Sequence, residues 1–148
     1  MAGAICMNVL KFQIKLAYRV ELFGTGFYRG LSKQYNTKYP DLTKMLDHAA
    51  AQEYGHSKLF SACYSGLFNK KLGGEKFWLG FGFCQSYFLF VLPVSLKLKL
   101  ARITELLAVK QFERDLAAGA KNKYIDIVKR IIQDEKDHAE ICNKWKKS

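Results

Sequence analysis

Four stretches of the chain have the spacing of apolar side chains that is typical of amphipathic helices. Each of these apolar faces contains a single glutamate. The four are Glu21, Glu53, Glu105 and Glu135. A buried carboxylate without a partner is costly, and glutamate is seldom fully buried unless it is paired or binds a metal ion. The fold must therefore bring four inward carboxylates, one from each helix, to partners inside the protein.

Glycine and proline separate the four stretches. The stretches cover about 5–35, 40–69, 98–116 and 124–145 of the 148 residues. Pro40 suits the first turn of a helix, where its missing N–H costs nothing, and Gly119 suits the residue that follows a helix. Two short turns and one long apolar connection predict an all-α four-helix bundle with a crossover between the second and third helices. The length predicts one domain over residues 1–148.

Two of the glutamates are followed three residues later by histidine. Side chains three residues apart lie on the same face of a helix, so each pair can offer a carboxylate and an imidazole to one metal ion. Two Glu-x-x-His pairs with one further glutamate from each of two other helices are the ligand set of di-iron carboxylate bundles. The predicted ligands are Glu21, Glu53, His56, Glu105, Glu135 and His138.

The positions of these residues support a shared site. Glu21 and Glu53 lie roughly 16 residues on either side of the first turn, so they are level in an antiparallel helix pair. The glutamates and histidines also recur, 84 residues apart for Glu21 and Glu105 and 82 residues apart for Glu53 and Glu135. Carboxylate and imidazole ligands suit two iron ions, with manganese as the alternative. Buried Glu–His pairing without a metal is the remaining interpretation.

Charge and cysteine spacing limit the other classes. The chain has 24 Lys and Arg against 13 Asp and Glu, a formal net charge of +11, which favours an anionic partner surface. The basic residues are scattered and form no nucleic-acid motif, so acidic lipid is favoured over nucleic acid. The four cysteines, Cys6, Cys63, Cys84 and Cys142, have no metal-binding spacing and are interpreted as reduced core thiols. The first ten residues do not resemble a secretion signal, so we expect an intracellular protein.

The ligand motifs resemble those of the ferritin-like di-iron superfamily. They are most similar to the demethoxyubiquinone hydroxylase family in the segment from Glu21 to Gly30, in Gln52-Glu53-x-x-His56 and in Asp134-Glu135-x-x-His138. This resemblance implies a ferritin-like bundle that binds two iron ions. It also implies a monooxygenase that uses O2 to hydroxylate a quinone-type lipid precursor, on the cytoplasmic or matrix side of a membrane.

Rubrerythrins are the second family that the chain resembles. This resemblance implies peroxide scavenging, ferroxidase activity or iron binding. Rubrerythrins usually carry an additional glutamate at the position of Ala108, and the hydroxylase family usually has a His-Tyr pair at the position of Gln111 and Phe112. These departures leave the predicted ligands intact and bear on the substrate. A non-catalytic basic helical module on membranes is the alternative from another class.

The run from Phe77 to Leu96 contains 20 residues without a charge, between Lys76 and Lys97. Its length is that of a transmembrane helix, but one crossing would place the two halves of the ligand set on opposite sides of the bilayer. We therefore expect it to contact a membrane interface, with a core or homo-oligomer contact as the alternative. Tyr28, Phe60 and Phe112 are candidates for lining the entry of a hydrophobic substrate, although a core role is commoner for such residues.

Overall fold

The computed structural model describes residues 2–119 and 121–146, and the side chains of residues 7–119 and 121–145. This part of the chain contains six helices and no strand. The helices are α1 (Ala2–Tyr35), α2 (Pro40–Phe68), α3 (Glu75–Phe88), α4 (Val94–Ala117), α5 (Lys123–Ala139) and α6 (Ile141–Lys146). Helices α1, α2, α4 and α5 form the predicted all-α bundle of ferritin-like type, and α3 lies in the crossover.

The helix ends follow from local chemistry. Pro40 occupies the first turn of α2, as the sequence predicts. Gly119, just after α4, has a φ of 70°, in the left-handed region that glycine adopts without strain. The Asn122 side chain caps α5 by accepting a hydrogen bond from the backbone N–H of Ile125 at 3.0 Å. These signals set the two short turns that make each half of the bundle an antiparallel pair.

The crossover contains a packed helix. Helix α3 lies so close to α1 that a Cβ on Gly26 would be 2.1 Å from the Leu79 carbonyl oxygen. A Cβ on Gly82 would be 2.0 Å from the Phe23 carbonyl oxygen. Glycine at these two positions therefore lets the backbones of α1 and α3 touch. None of the described helices is both long enough and apolar enough to cross a membrane.

The fourth stretch differs from the prediction of one helix that continues to Trp145. Helix α5 ends at Ala139, and the N–H of Glu140 donates to the carbonyl oxygen of Asp137, three residues back, which tightens the last turn. The short α6 then places Ile141 and Cys142 in the core. The break thus packs the last described turn against the bundle.

The apolar core has two clusters, with the predicted ligands between them. One cluster includes Leu22, Phe60 and Val128, and the other includes Leu42 and Leu98. Each fully buried side chain of this size contributes about 1.5–3 kcal/mol to folding. On α2, α4 and α5 the ligand positions fall between residues of the two clusters. The clusters therefore hold the four helices in register above and below the polar layer.

The cysteines follow the prediction only in part. Cys63 and Cys142 are buried free thiols, as expected. Cys84 is exposed on the outer face of α3, so its interpretation as a core thiol is wrong. The reason is that α3 buries only its small residues, Gly82 and Ser86, against α1. Cys6 lies outside the described side chains.

Candidate metal centre

The structure brings all six predicted ligands into one buried layer. Two groups of four residues each have one ligand atom per residue within 4.8 Å of all the others. The groups are Glu21, Glu53, His56 and Glu135, and Glu53, Glu105, Glu135 and His138. Glu53 and Glu135 belong to both groups, and none of the six residues is more than 8% exposed. This is the arrangement expected of two adjacent cation positions joined by two shared carboxylates.

A small residue on α1 makes room for one of the shared carboxylates. A Cβ on Gly24 would lie 2.7 Å from Oε2 of Glu53. Because Gly24 is one turn from Glu21 on the same face, α1 contributes one ligand and leaves space for another. Glycine at this position therefore lets the carboxylate of α2 approach α1.

Each histidine turns its Nδ1 atom toward carboxylate oxygens. His56 Nδ1 is 3.0 Å from Glu135 Oε1 and 3.3 Å from Glu21 Oε2, and His138 Nδ1 is 2.8 Å from Glu53 Oε1. None of these five atoms makes a contact with hydrogen-bond geometry. Buried polar atoms without hydrogen bonds are costly. Five that converge on one place fit the donor set of bound cations.

The other ring nitrogens are held from the opposite helix. Nε2 of His56 on α2 lies 3.0 Å from Oδ2 of Asp134 on α5. Nε2 of His138 on α5 lies 3.1 Å from Oε1 of Gln52 on α2. Such contacts orient an imidazole so that its other nitrogen faces the metal position. Gln52 and Asp134 belong to the quoted motifs, but their role was not predicted, because each supports the histidine of the other helix.

Tyr28 also supports a predicted ligand. Its hydroxyl donates a hydrogen bond to Oε1 of Glu105. Its ring centre is 6.0 Å from that of His138. The sequence indicated only that this side chain lines a cavity or the core. The hydroxyl was the available signal, because the corresponding residue of the internal repeat, Phe112, has none.

Burial of these carboxyl groups shifts their pKa values strongly. Burial and the neighbouring Glu135 raise the pKa of Glu21 to about 7, and they raise the pKa values of Glu53 and Glu105 well above their ordinary range. Burial lowers the pKa of His56, but Glu135 and Glu21 outweigh this effect and raise it to about 10. Burial lowers the pKa of His138. The carboxylates thus repel one another, and cations bound among them would remove that repulsion.

A cavity of about 610 Å³ between α1 and α4 reaches the carboxylates. All four ligand glutamates contribute to its wall, whereas neither histidine does. The apolar wall residues include Phe12, Leu16, Phe23, Phe27, Leu107 and Phe112. Of the three aromatic residues predicted as candidates, Tyr28 and Phe112 line this cavity, and Phe60 lies in the core. The centre is therefore accessible through an apolar space on the glutamate side.

One end of the cavity is polar. Oδ2 of Asp115 accepts a hydrogen bond from the Tyr124 hydroxyl at 2.5 Å. Oδ1 of Asp115 accepts from the amides of Gln111 at 2.9 Å and Gln13 at 3.3 Å. Burial and contact with Asp115 raise the pKa of Tyr124. The sequence analysis missed this cluster, which links α1, α4 and α5 at residues that are far apart in the chain.

The chain was compared with protein families, curated proteins and solved structures. The family model described as Rubrerythrin matches residues 13–146. No curated protein and no solved structure gives a significant match. The match confirms the predicted superfamily and the second of the two predicted families, and it does not show the demethoxyubiquinone hydroxylase family. The chain belongs to the rubrerythrin family, whose members are typically di-iron oxidoreductases.

Proposed function

We propose that the protein is a di-iron oxidoreductase that uses O2 to oxidise a hydrophobic organic substrate held between α1 and α4. The observation that carries this proposal is the apolar cavity of about 610 Å³ that ends on four ligand glutamates. Pockets for organic ligands usually have volumes of about 300–1,000 Å³, far more than peroxide requires. An apolar wall beside the metal ligands therefore favours an organic substrate.

Each ligand has a role in this proposal. Glu53 and Glu135 would bridge two iron ions, because they belong to both groups. Glu21 and His56 would complete one position, and Glu105 and His138 the other. The bound iron would supply the redox chemistry that activates O2. Manganese is the alternative metal, since the same ligands suit it.

Residues around the ligands would set the geometry of the centre. Asp134 and Gln52 would hold the two imidazoles, and Tyr28 would hold the carboxylate of Glu105. The apolar side chains of the cavity would exclude water from the reacting atoms. In a hydroxylation one oxygen atom enters the substrate and the other leaves as water. Two protons and two electrons are consumed, so the reaction needs an external reductant.

The substrate class we propose is a quinone-type lipid precursor. The resemblance of the segment from Glu21 to Gly30 and of both Glu-x-x-His motifs to a quinone hydroxylase supports this choice. Such molecules have an apolar body, which suits the aromatic and aliphatic walls of the cavity. A molecule of this kind dissolves in membranes, and this property bears on the surface discussed below.

Peroxide reduction or ferroxidase activity is the second candidate. It is favoured by the family match, since rubrerythrins are the family to which the chain belongs. The same six ligands would serve either reaction. The two candidates differ in whether the cavity needs an organic occupant for turnover.

The test begins with anaerobic loading with Fe(II), followed by mixing with O2 or H2O2, with and without a short-chain quinone precursor. The proposed oxidation requires faster O2 consumption with the organic substrate and transfer of isotopically labelled oxygen into the product. Rapid turnover of H2O2 with no organic product would instead establish the peroxide reaction. A chain that retains no iron after loading would be the non-catalytic helical module.

A further inference from the structure

The mouth of the α1–α4 cavity is exposed and apolar. On α1, Phe12, Leu16 and Val20 follow one another at four-residue spacing and are 64%, 49% and 49% exposed. On α4, Ile103 and Leu107 are 54% and 62% exposed. Large apolar side chains gathered around an opening usually mark an interaction surface. This mouth leads directly to the predicted metal ligands.

A second exposed apolar patch lies on α3 and the turn that follows it. Its most exposed side chains are Phe77, Phe81, Phe88, Phe90 and Val91, with Phe88 at 77%. The ring of Phe81 lies 5.6 Å from that of Phe23, which lines the cavity. The two patches are therefore parts of one surface, which we name the apolar face: Phe12, Leu16, Val20, Phe77, Phe81, Phe88, Phe90, Val91, Ile103 and Leu107.

Positive charge accompanies the apolar face. Lys11, Lys15 and Arg19 of α1 each immediately precede one of its apolar residues. Lys99 and Lys110 of α4 are exposed one turn from Ile103 and Leu107. Acids are nearly absent here, since α1 contains only the buried Glu21 and residues 76–104 contain none. The part of the surface that exposes most apolar area is therefore also strongly basic.

We propose that the apolar face docks on an anionic lipid membrane, so that the α1–α4 cavity opens toward the acyl chains. Lipid headgroups would meet the lysine and arginine rows, and the exposed aromatic side chains would enter the interface. A second copy fits less well, because a two-fold interface pairs a patch with itself and would bring rows of like charge together. The delivery of a lipid-soluble substrate rests on the proposed function, whereas the docking does not.

Vesicle co-sedimentation of the full chain tests the docking. We expect binding to vesicles of phosphatidylcholine mixed with phosphatidylglycerol and little binding to phosphatidylcholine alone. Salt should weaken the binding without removing it, because the apolar contribution remains. An environment-sensitive probe on Cys84, which is exposed on α3, should report an apolar environment only with the anionic vesicles. A protein that ignores anionic vesicles at low salt would overturn the proposal.

Variants separate the two contributions. Lys99→Glu should weaken vesicle affinity roughly tenfold or more, since it removes one basic residue and adds a repulsive charge. Lys129→Glu on the exposed side of α5 is the matched control and should change affinity much less. Combined Phe88→Ser and Phe90→Ser should remove the salt-resistant binding. Helical content and iron content, measured alongside, should remain unchanged.

Two further outcomes are decisive. Equal vesicle binding by the wild type, the Lys99→Glu variant and the double serine variant would refute docking through the apolar face. Concentration-dependent dimerisation that the double serine variant abolishes would assign the face to a second copy and overturn the membrane proposal. Vesicle binding without oxidation of any quinone would retain the docking and reject the proposed reaction. Oxidation of a detergent-dispersed quinone without vesicle binding would do the reverse.

Discussion

The two halves of the metal centre correspond in sequence but differ in the residues that support them. In the repeat, Glu21 corresponds to Glu105, whereas Tyr28 corresponds to Phe112. The hydroxyl of Tyr28 holds Glu105, and the phenyl ring of Phe112 cannot do the same for Glu21. Glu21 instead lies 3.3 Å from Nδ1 of His56. The two glutamates that are not shared are therefore held in different ways.

The histidines differ as well. His56 is supported by the carboxylate of Asp134, and His138 by the neutral amide of Gln52. The pKa of His56 is accordingly raised to about 10 by its acidic neighbours, whereas that of His138 is lowered by burial. A charged partner increases the basicity of a ligand histidine. Two similar sequence motifs thus produce two inequivalent cation positions, and the position at His56 should bind a cation more tightly.

The largest effect should come from the residues that both positions share. Glu53→Ala or Glu135→Ala should reduce iron from two ions per chain to nearly none, because each removes a ligand from both groups. Glu21→Ala and Glu105→Ala should each lose mainly one ion. Elemental analysis after anaerobic loading measures this, with Asp47→Ala as the control, since Asp47 is exposed and pairs with Ser32. Full iron retention in the Glu53 and Glu135 variants, or a single zinc ion per chain, would contradict the two-metal centre.

The metal-free protein should separate the two halves by pH. The pKa of Glu21 is about 7 in the folded chain, above its ordinary value of 4.5. The folded state therefore binds more protons than the unfolded state between these values. Stability should fall by roughly 3 kcal/mol as pH rises through this window.

The corresponding variants show which half is responsible for the fall. Glu21→Gln should remove the part that levels off near pH 7. Glu105→Gln should remove a fall that continues at higher pH, because the pKa of Glu105 is raised further. Urea unfolding at a series of pH values measures both. Stability of the metal-free wild type that increases with pH over this window would contradict the buried carboxyl cluster.

Exchange of the charged partner should make the two positions more alike. Asp134→Asn should weaken cation binding at the His56 position by about 10- to 100-fold, the usual effect of losing such a partner. An anaerobic Co(II) titration followed by absorption should then show two binding phases that move closer together. Asp137→Asn is the control, because Asp137 is exposed and pairs with Lys144. Unchanged separation of the phases would show that Asp134 does not cause the difference.

The smallest effect should come from the Tyr28 hydroxyl. Tyr28→Phe should weaken binding at the Glu105 position by roughly 1 kcal/mol, or about fivefold, since one supporting hydrogen bond is lost. Phe112→Tyr places a hydroxyl at the corresponding position of the repeat. If the repeat is followed closely in space, this variant should strengthen the Glu21 position by a similar factor. The same Co(II) titration measures both, and identical curves for wild type and Tyr28→Phe would contradict the role of the hydroxyl.

Much of the fold was predictable from local patterns. The spacing of apolar residues predicted the four bundle helices, and Pro40 and Gly119 marked two of their ends correctly. The helix in the crossover was not predicted, because its residues are apolar on nearly every face and show no helical periodicity. The exposure of Cys84 could not be inferred either, since it depends on which side of α3 packs on α1. The end of α5 at Ala139 has no proline or glycine to mark it.

The sequence by itself determined which residues could form a two-metal centre, because helical periodicity places Glu21, Glu105 and both Glu-x-x-His pairs on inward faces. That information is local, since a helix repeats every 3.6 residues whatever packs against it. Only the tertiary structure decided that Asp134 supports His56, that Gln52 supports His138, and that Tyr28 rather than a residue of its own repeat holds Glu105. It also decided that an apolar cavity opens between α1 and α4. These features depend on the distances between helices, which are set by packing across the bundle and cannot be read from the spacing along any one of them.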